Sequence, residues 1–189
     1  MLSLIGGALA GGAGFSPAHP ADLSRLANLY TSPKTKYCRV GYMDVGGRRI
    51  RQLVATQPLK AGTFVACYPV EIRYDDEIND FEYAIRIYRR HDLAERQTVW
   101  GVPTARSIRE GPCADLPPIA MFSNEPAPGQ SANATFEFPH DQGTQSPHEL
   151  VGRIVNGYLK TTRPVRKGDA IVWCYGDGYE RSYPTPCAS

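Results

Sequence analysis

No run of five or more Lys or Arg occurs in the chain, and its formal net charge is only +2. A strong electrostatic field for a polyanion is absent, so direct nucleic-acid binding is disfavoured. Cys-x-x-Cys and Cys-x-His spacings are also missing, because Cys38, Cys67, Cys113, Cys174 and Cys187 stand far apart. That excludes the usual zinc knots, and no metal is expected. An odd number of widely separated cysteines suits reduced thiols in an intracellular protein, nuclear or cytoplasmic. No apolar stretch reaches the ~20 residues of a transmembrane helix, so no membrane association is expected. Residues 1–15 are rich in glycine and alanine. They lack the positive start of a signal peptide and the Gly-Lys-Ser/Thr of a phosphate loop, and read as a flexible leader or packing tail. Asn133-Ala134-Thr135 fits a glycosylation sequon, which matters only on a secretory route. Neither a nucleophile elbow nor a motif-spaced Cys-His pair appears, which leaves a hydrolase weakly supported. Internal repeats are lacking as well.

What the chain does have is turn formers: 18 glycines and 16 prolines among 189 residues. This density favours many short strands over long helices, within one domain by length. The expected organisation is a leader and short helix over 1–36, a main domain over 37–183 and a tail over 184–189. Leu23, Leu26, Leu29 and Tyr30 recur at helical spacing, so Pro20 to Tyr30 is predicted to be an amphipathic helix with Asp22 or Ser24 as cap. Strands are expected over Tyr37–Tyr42 and Arg48–Thr56, around the Gly46-Gly47 turn. Further strands are expected over Thr63–Arg73, Tyr83–Arg90, Thr98–Val102 with Trp100 buried, Thr135–Phe138 and Val151–Thr162. Asp75, Asp76, Glu77, Asp80 and Glu82 form an acidic loop, read first as a solvated connector and second as a rim that steers a basic peptide. Arg106 to Pro118 reads as an irregular insert. His140 and His148 have no partner cluster and are read as solvent-exposed.

Two segments carry the functional argument. In the first, an apolar strand Ile119–Phe122 runs into Ser123-Asn124, a Pro/Gly loop and Asn133-Ala134. In the second, Gly168-Asp169 opens a strand, Ala-Ile-Val-Trp, that ends at Cys174 and Tyr175-Gly176, placing a phenol where the chain turns. Together with Val54–Val70, these segments resemble motifs of the SET-domain lysine methyltransferases, in matching order and spacing. The flavour is closest to the PR-type and small viral members. The resemblance covers Arg49 to Tyr183. It implies a mostly β fold of several short sheets (a β-clip), few short helices and a threaded C-terminal segment. It also implies an enzyme that uses S-adenosyl-L-methionine to methylate lysine on a protein or peptide, with histone tails among the candidates.

The resemblance further implies roles for particular residues. Tyr175 is the catalytic phenol, and Asn124 holds the cofactor with Ser123, Glu125, Gln52, Leu53 and Tyr179. Tyr83, Phe122 and Trp173 line an aromatic substrate channel, where cation–π attraction suits an alkylammonium. Small members without a zinc-binding C-terminal lobe sometimes form a homodimer to complete their sites. The chain also departs from the pattern. The family's Gly-x-Gly falls on Ile50-Arg51-Gln52, the histidine after the asparagine is Glu125, and the post-SET zinc knot is missing. An alternative reading follows from the lost glycines: a catalytically silent SET-like module that binds peptide without cofactor.

Overall fold

The computed structural model describes residues 20–32, 34–79, 83–88, 99–111, 113–138, 150–176 and 186–187. The chain is mostly β, with few short helices, as its turn density predicts. Helix α1 (Pro20–Leu29) comes first. The helical spacing is real: Leu23, Leu26 and Ala27 are buried, and Leu29 points to solvent. Strands β1 (Cys38–Val45) and β2 (Arg48–Ala55) form the expected hairpin, with Val45 opposite Arg48. Gly46 and Gly47 take up the turn at φ +56° and +79°, a region open to glycine at little cost.

A three-stranded sheet is completed by β8 (Ala170–Ile171), which pairs with Leu53 and Val54 of β2. The second sheet has the order β4 (Ile85–Tyr88), β5 (Val99–Val102), β3 (Phe64–Tyr74), β7 (Ile154–Thr161) and β6 (Ala134–Glu137). Its centre is β3, where every residue from Val65 to Ile72 is buried, so the strand is covered on both faces. The run includes a carboxylate, Glu71, 5% exposed. Glu71 is tolerated there because it accepts from Thr104 Oγ1 at 3.1 Å and faces Arg73 and Arg106, each at 3.4 Å. Leu53, Ile72, Ile119, Phe122, Leu159 and Ile171 fill the shared core.

Four expectations need correction. Ile119–Phe122 is not a strand: Ala120–Phe122 forms a buried 3₁₀ turn. An apolar run this short does not distinguish the two by period. Part of the 106–118 insert is helical, as α2 (Ala105–Glu110). Thr104 and Ser107 cap each other reciprocally, each side chain accepting the other's backbone N–H at 3.0 and 2.9 Å. Trp100 is half-buried rather than buried. The thiols are not all free, since Cys67 is bonded to Cys113 and Cys174 to Cys187. Cysteines distant in sequence meet through the sheet, which spacing cannot reveal. Of the acidic loop, Asp76 and Glu77 are exposed, as a solvated connector requires, whereas Asp80 and Glu82 lie outside the described residues. His140 and His148 lie outside them too, as does Tyr179. Among the described residues no helix is long and apolar enough to cross a membrane.

Cys38 is the free cysteine among the described residues, fully buried, with its thiol donating to the Val65 carbonyl at 3.3 Å. Burial pushes its pKa from 9.0 up to about 12. A folded-state pKa above the unfolded one means stability that is present below pH 9 and lost as pH rises toward about 12. The slope from this one thiol is about 1.4 kcal/mol per pH unit. Cys38→Ala should therefore lose stability less steeply than wild type in urea titrations across that window, and parallel slopes would contradict the assignment.

Candidate functional site

The site is built where the chain after the 3₁₀ turn meets the segment after β8, which the sequence predicts as a strand to Cys174 but which pairs as a strand only over Ala170–Ile171. Ser123, Asn124 and Glu125 lie against Trp173 and Tyr175. Ser123 Oγ donates to the Ile171 carbonyl at 2.7 Å. The Trp173 N–H donates to the Asn124 carbonyl at 3.1 Å. The Tyr175 N–H donates to Glu125 Oε1 at 2.9 Å, and its phenol donates to the Ser123 carbonyl at 2.9 Å. Asn133 closes the other flank. Its amide donates to the Ala170 carbonyl at 2.8 Å, and its Oδ1 accepts the Val172 N–H at 2.9 Å. Its own N–H and that of Ala134 reach the Val172 carbonyl at 3.0 and 3.1 Å. Residues 170–175 are thus held from two sides by non-adjacent segments.

Asn124 extends this seam to β2. Strand β8 pairs with β2 only at Leu53 and Val54. One step further along, the Asn124 amide takes over by donating to the Arg51 carbonyl at 2.7 Å. The Arg51 guanidinium donates from Nη2 to Ser24 Oγ of α1 at 2.7 Å and stands 5.7 Å from the Phe122 ring. Its Nε is buried and has no partner among the described residues.

Among solved structures, the chain is similar to a candidate histone methyltransferase from Plasmodium falciparum, at 16% identity and a TM-score of 0.44, over 76% of this chain and 96% of that one. It is also similar to CpSET8 from Cryptosporidium, at 14% identity and a TM-score of 0.47. That match covers 75% of this chain and 58% of the Cryptosporidium chain. No family model and no curated protein matches the chain.

Aromatic rings line the seam. Trp173 stacks on Phe136 at 5.0 Å and leans on Tyr175 at 5.1 Å. Phe136 meets Tyr68 edge-on at 5.7 Å and Phe138 at 5.0 Å. Tyr83 packs edge-on against Phe122 at 6.1 Å. The Tyr68 phenol donates to the Tyr83 carbonyl. Burial holds its pKa well above the usual phenol value, and the nearby phenols of Tyr175 and Tyr83 add to the rise. Three tyrosines therefore converge at this corner, with Tyr68 the most deeply buried of them.

Of the residues expected here from sequence, Tyr175, Ser123, Asn124, Glu125 and Trp173 are brought together. Phe122 is 1% exposed and belongs to the floor. Tyr83 is half-buried at the edge of the same cluster. Leu53 is fully buried and paired to both Val40 and Ile171, so its side chain serves the core. Gln52 is half-buried and donates to the Tyr42 carbonyl at 3.3 Å. Three residues of the cluster had been given no role: Tyr68, Phe136 and Asn133. The alternation of β6 carries Phe136 and Phe138 to one face, which is the available signal for the second.

Phe136 reaches the cluster because Gly157 of the paired strand has no side chain, and a Cβ there would collide with the Phe136 ring. Gly157→Ala should cost about 1–3 kcal/mol by overpacking and change the fluorescence of the stacked Trp173. In a Phe136→Leu background the same change should cost less. Equal costs in the two backgrounds would show that the ring is not what the glycine accommodates.

Proposed function

We propose that the chain is a SET-type methyltransferase that transfers a methyl group from S-adenosyl-L-methionine to a lysine amine of a protein or peptide. The observation that carries this reading is the seam itself, in which the Asn124 segment and the segment after β8 that bears Tyr175 lie side by side, joined by the Tyr175 phenol on the Ser123 carbonyl at 2.9 Å. The motif match over Arg49 to Tyr183 requires that adjacency.

The residues present fit the cofactor. A buried Arg51 Nε without a partner among the described residues, on the residue whose carbonyl receives the Asn124 amide, suits a ligand that carries a carboxylate. Asn124, the backbone of Ser123 and Glu125, and Arg51 would hold it. Glu125, 9% exposed, presents its carboxyl to this segment by accepting the Tyr175 N–H. When bound, S-adenosyl-L-methionine supplies a methyl group activated by a sulfonium.

The chain's task is to present a neutral amine in line with that methyl. Deprotonating lysine at neutral pH costs roughly 4–5 kcal/mol from a reference pKa near 10.4. An amine brought against the rings of Trp173, Phe136 and Tyr68 would have part of this offset, because desolvation disfavours the ammonium. Tyr175, its own proton committed to the Ser123 carbonyl, faces any further group as an acceptor. It can orient an amine N–H and favour the charge that develops on nitrogen. Alignment of nucleophile and methyl provides the larger share of the acceleration. Histone tails are one substrate class compatible with this chemistry.

A second reading has its own observation. The Asn124 amide is already bonded within the fold, and Ile50 and Gln52 carry side chains where the family has glycine. A peptide-binding module without cofactor would look this way. Calorimetry separates the two: micromolar binding of S-adenosyl-L-methionine is expected, and no binding at millimolar would leave the silent module. In a radiolabelled assay on mixed histones, Tyr175→Phe should lower transfer by about 10²-fold or more. The cofactor affinity of that variant should stay within about threefold, well under the 1.4 kcal/mol of a tenfold change. Undiminished transfer by that variant would remove Tyr175 from the mechanism.

A further inference from the structure

The disulfides divide sharply by position. Cys67 is fully buried on β3 and Cys113 is 8% exposed, so that bridge joins the central strand to the loop after α2 inside the core. Cys174 and Cys187 are each half-buried, and Cys174 sits between Trp173 and Tyr175. Cys38, fully buried with its thiol pKa pushed up, is a poor nucleophile. A solvent-borne thiol therefore reaches the bridge beside Tyr175 far more readily than the one in the core.

The strand that carries the phenol depends on its end being fixed. Val172 is held on both its N–H and its carbonyl by Asn133. Past that point the chain is held by the Trp173 N–H on Asn124, the Tyr175 N–H on Glu125, the Tyr175 phenol on Ser123 and the Trp173 ring on Phe136. Gly176 follows at φ +88°, a position with wide conformational freedom. The bridge spans 13 positions and ties the chain on either side of this pivot to one point, which restricts it.

We propose that the Cys174–Cys187 disulfide is a redox control on this site: closed, it holds Trp173 and Tyr175 in place; reduced, it lets the strand end loosen and methyl transfer fall. The inference rests on the methyl-transfer reading, whose regulation it names. In the chemistry, a thiolate of a small dithiol attacks one sulfur of the bridge and breaks the S–S bond. A mixed disulfide forms, and the second thiol of the reagent displaces it. The protein gains two electrons and two protons as two thiols, and the reagent leaves as its own disulfide. A small-molecule disulfide reverses the sequence.

The test uses the full chain, oxidised or treated with dithiothreitol, with the state of each bridge read by mass spectrometry. Reduction of Cys174–Cys187 should speed hydrogen exchange at the Trp173 and Tyr175 amides by about tenfold, as local opening becomes easier. Methyl transfer should fall by about tenfold or more, as small misplacements of reacting groups do. Oxidised glutathione should restore both. Cys187→Ser should show the fast exchange and low transfer permanently and ignore either reagent, whereas Cys113→Ser should keep the response. Unchanged exchange on reduction, or a Cys187→Ser variant that matches oxidised wild type, overturns the proposal. If oxidised wild type neither binds S-adenosyl-L-methionine nor transfers methyl, the enzymatic reading fails and the control of activity fails with it. The exchange measurement then still reports whether the bridge anchors the strand.

Discussion

The structure depends on one requirement, that the backbone groups of residues 170–175 find partners although β8 itself is only two residues long. An extended segment in a core must satisfy its N–H and carbonyl groups, and unpaired ones are costly. Here the partners come from two stretches that are not strands at that point. Asn133 contributes through both its side chain and its main chain, and Ser123 to Glu125 contribute a hydroxyl, a carbonyl and a carboxylate. A polar seam through apolar surroundings specifies one register. Shifting the strand by a residue would strand the Asn133 amide, the Ser123 hydroxyl and the Glu125 carboxylate together.

That requirement also explains why the site lies here. The side chains that complete the seam cannot be exchanged for apolar ones without leaving main-chain groups unpaired, and they bring polar atoms into a sparsely solvated corner. Around them the rings of Tyr68, Phe136, Trp173 and Tyr175 form a continuous wall. Gly157 permits the closest packing in it by leaving room for Phe136.

Much of the sheet structure was legible in the sequence. The β1–β2 hairpin, β3 and β7 follow from alternation and from glycine turns, which are local signals. The partnership of Ser123 and Asn124 with Tyr175 was accessible only through the resemblance of their flanking motifs, because the contact spans about fifty positions. Tyr68 was hidden for a different reason. It sits in an unbroken buried run where nothing marks one side chain as facing a site rather than the core. The disulfides were misread for the same kind of reason. Cys67 and Cys113 lie 46 positions apart and are joined by how α2 packs on β3, a tertiary fact with no local trace.

Arg51 shows how neighbouring elements accommodate a long charged side chain on β2. It is held because α1 offers Ser24 to its guanidinium and Phe122 offers a ring face. The helix that the leucine spacing predicted is thus more than a lid on the core, since it fixes the arginine beside the Asn124 junction. Its backbone carbonyl receives the Asn124 amide on one side while its side chain is held on the other. Among the described residues the Arg51 Nε stays buried without a partner, so the arginine is held through Nη2 and its ring contact.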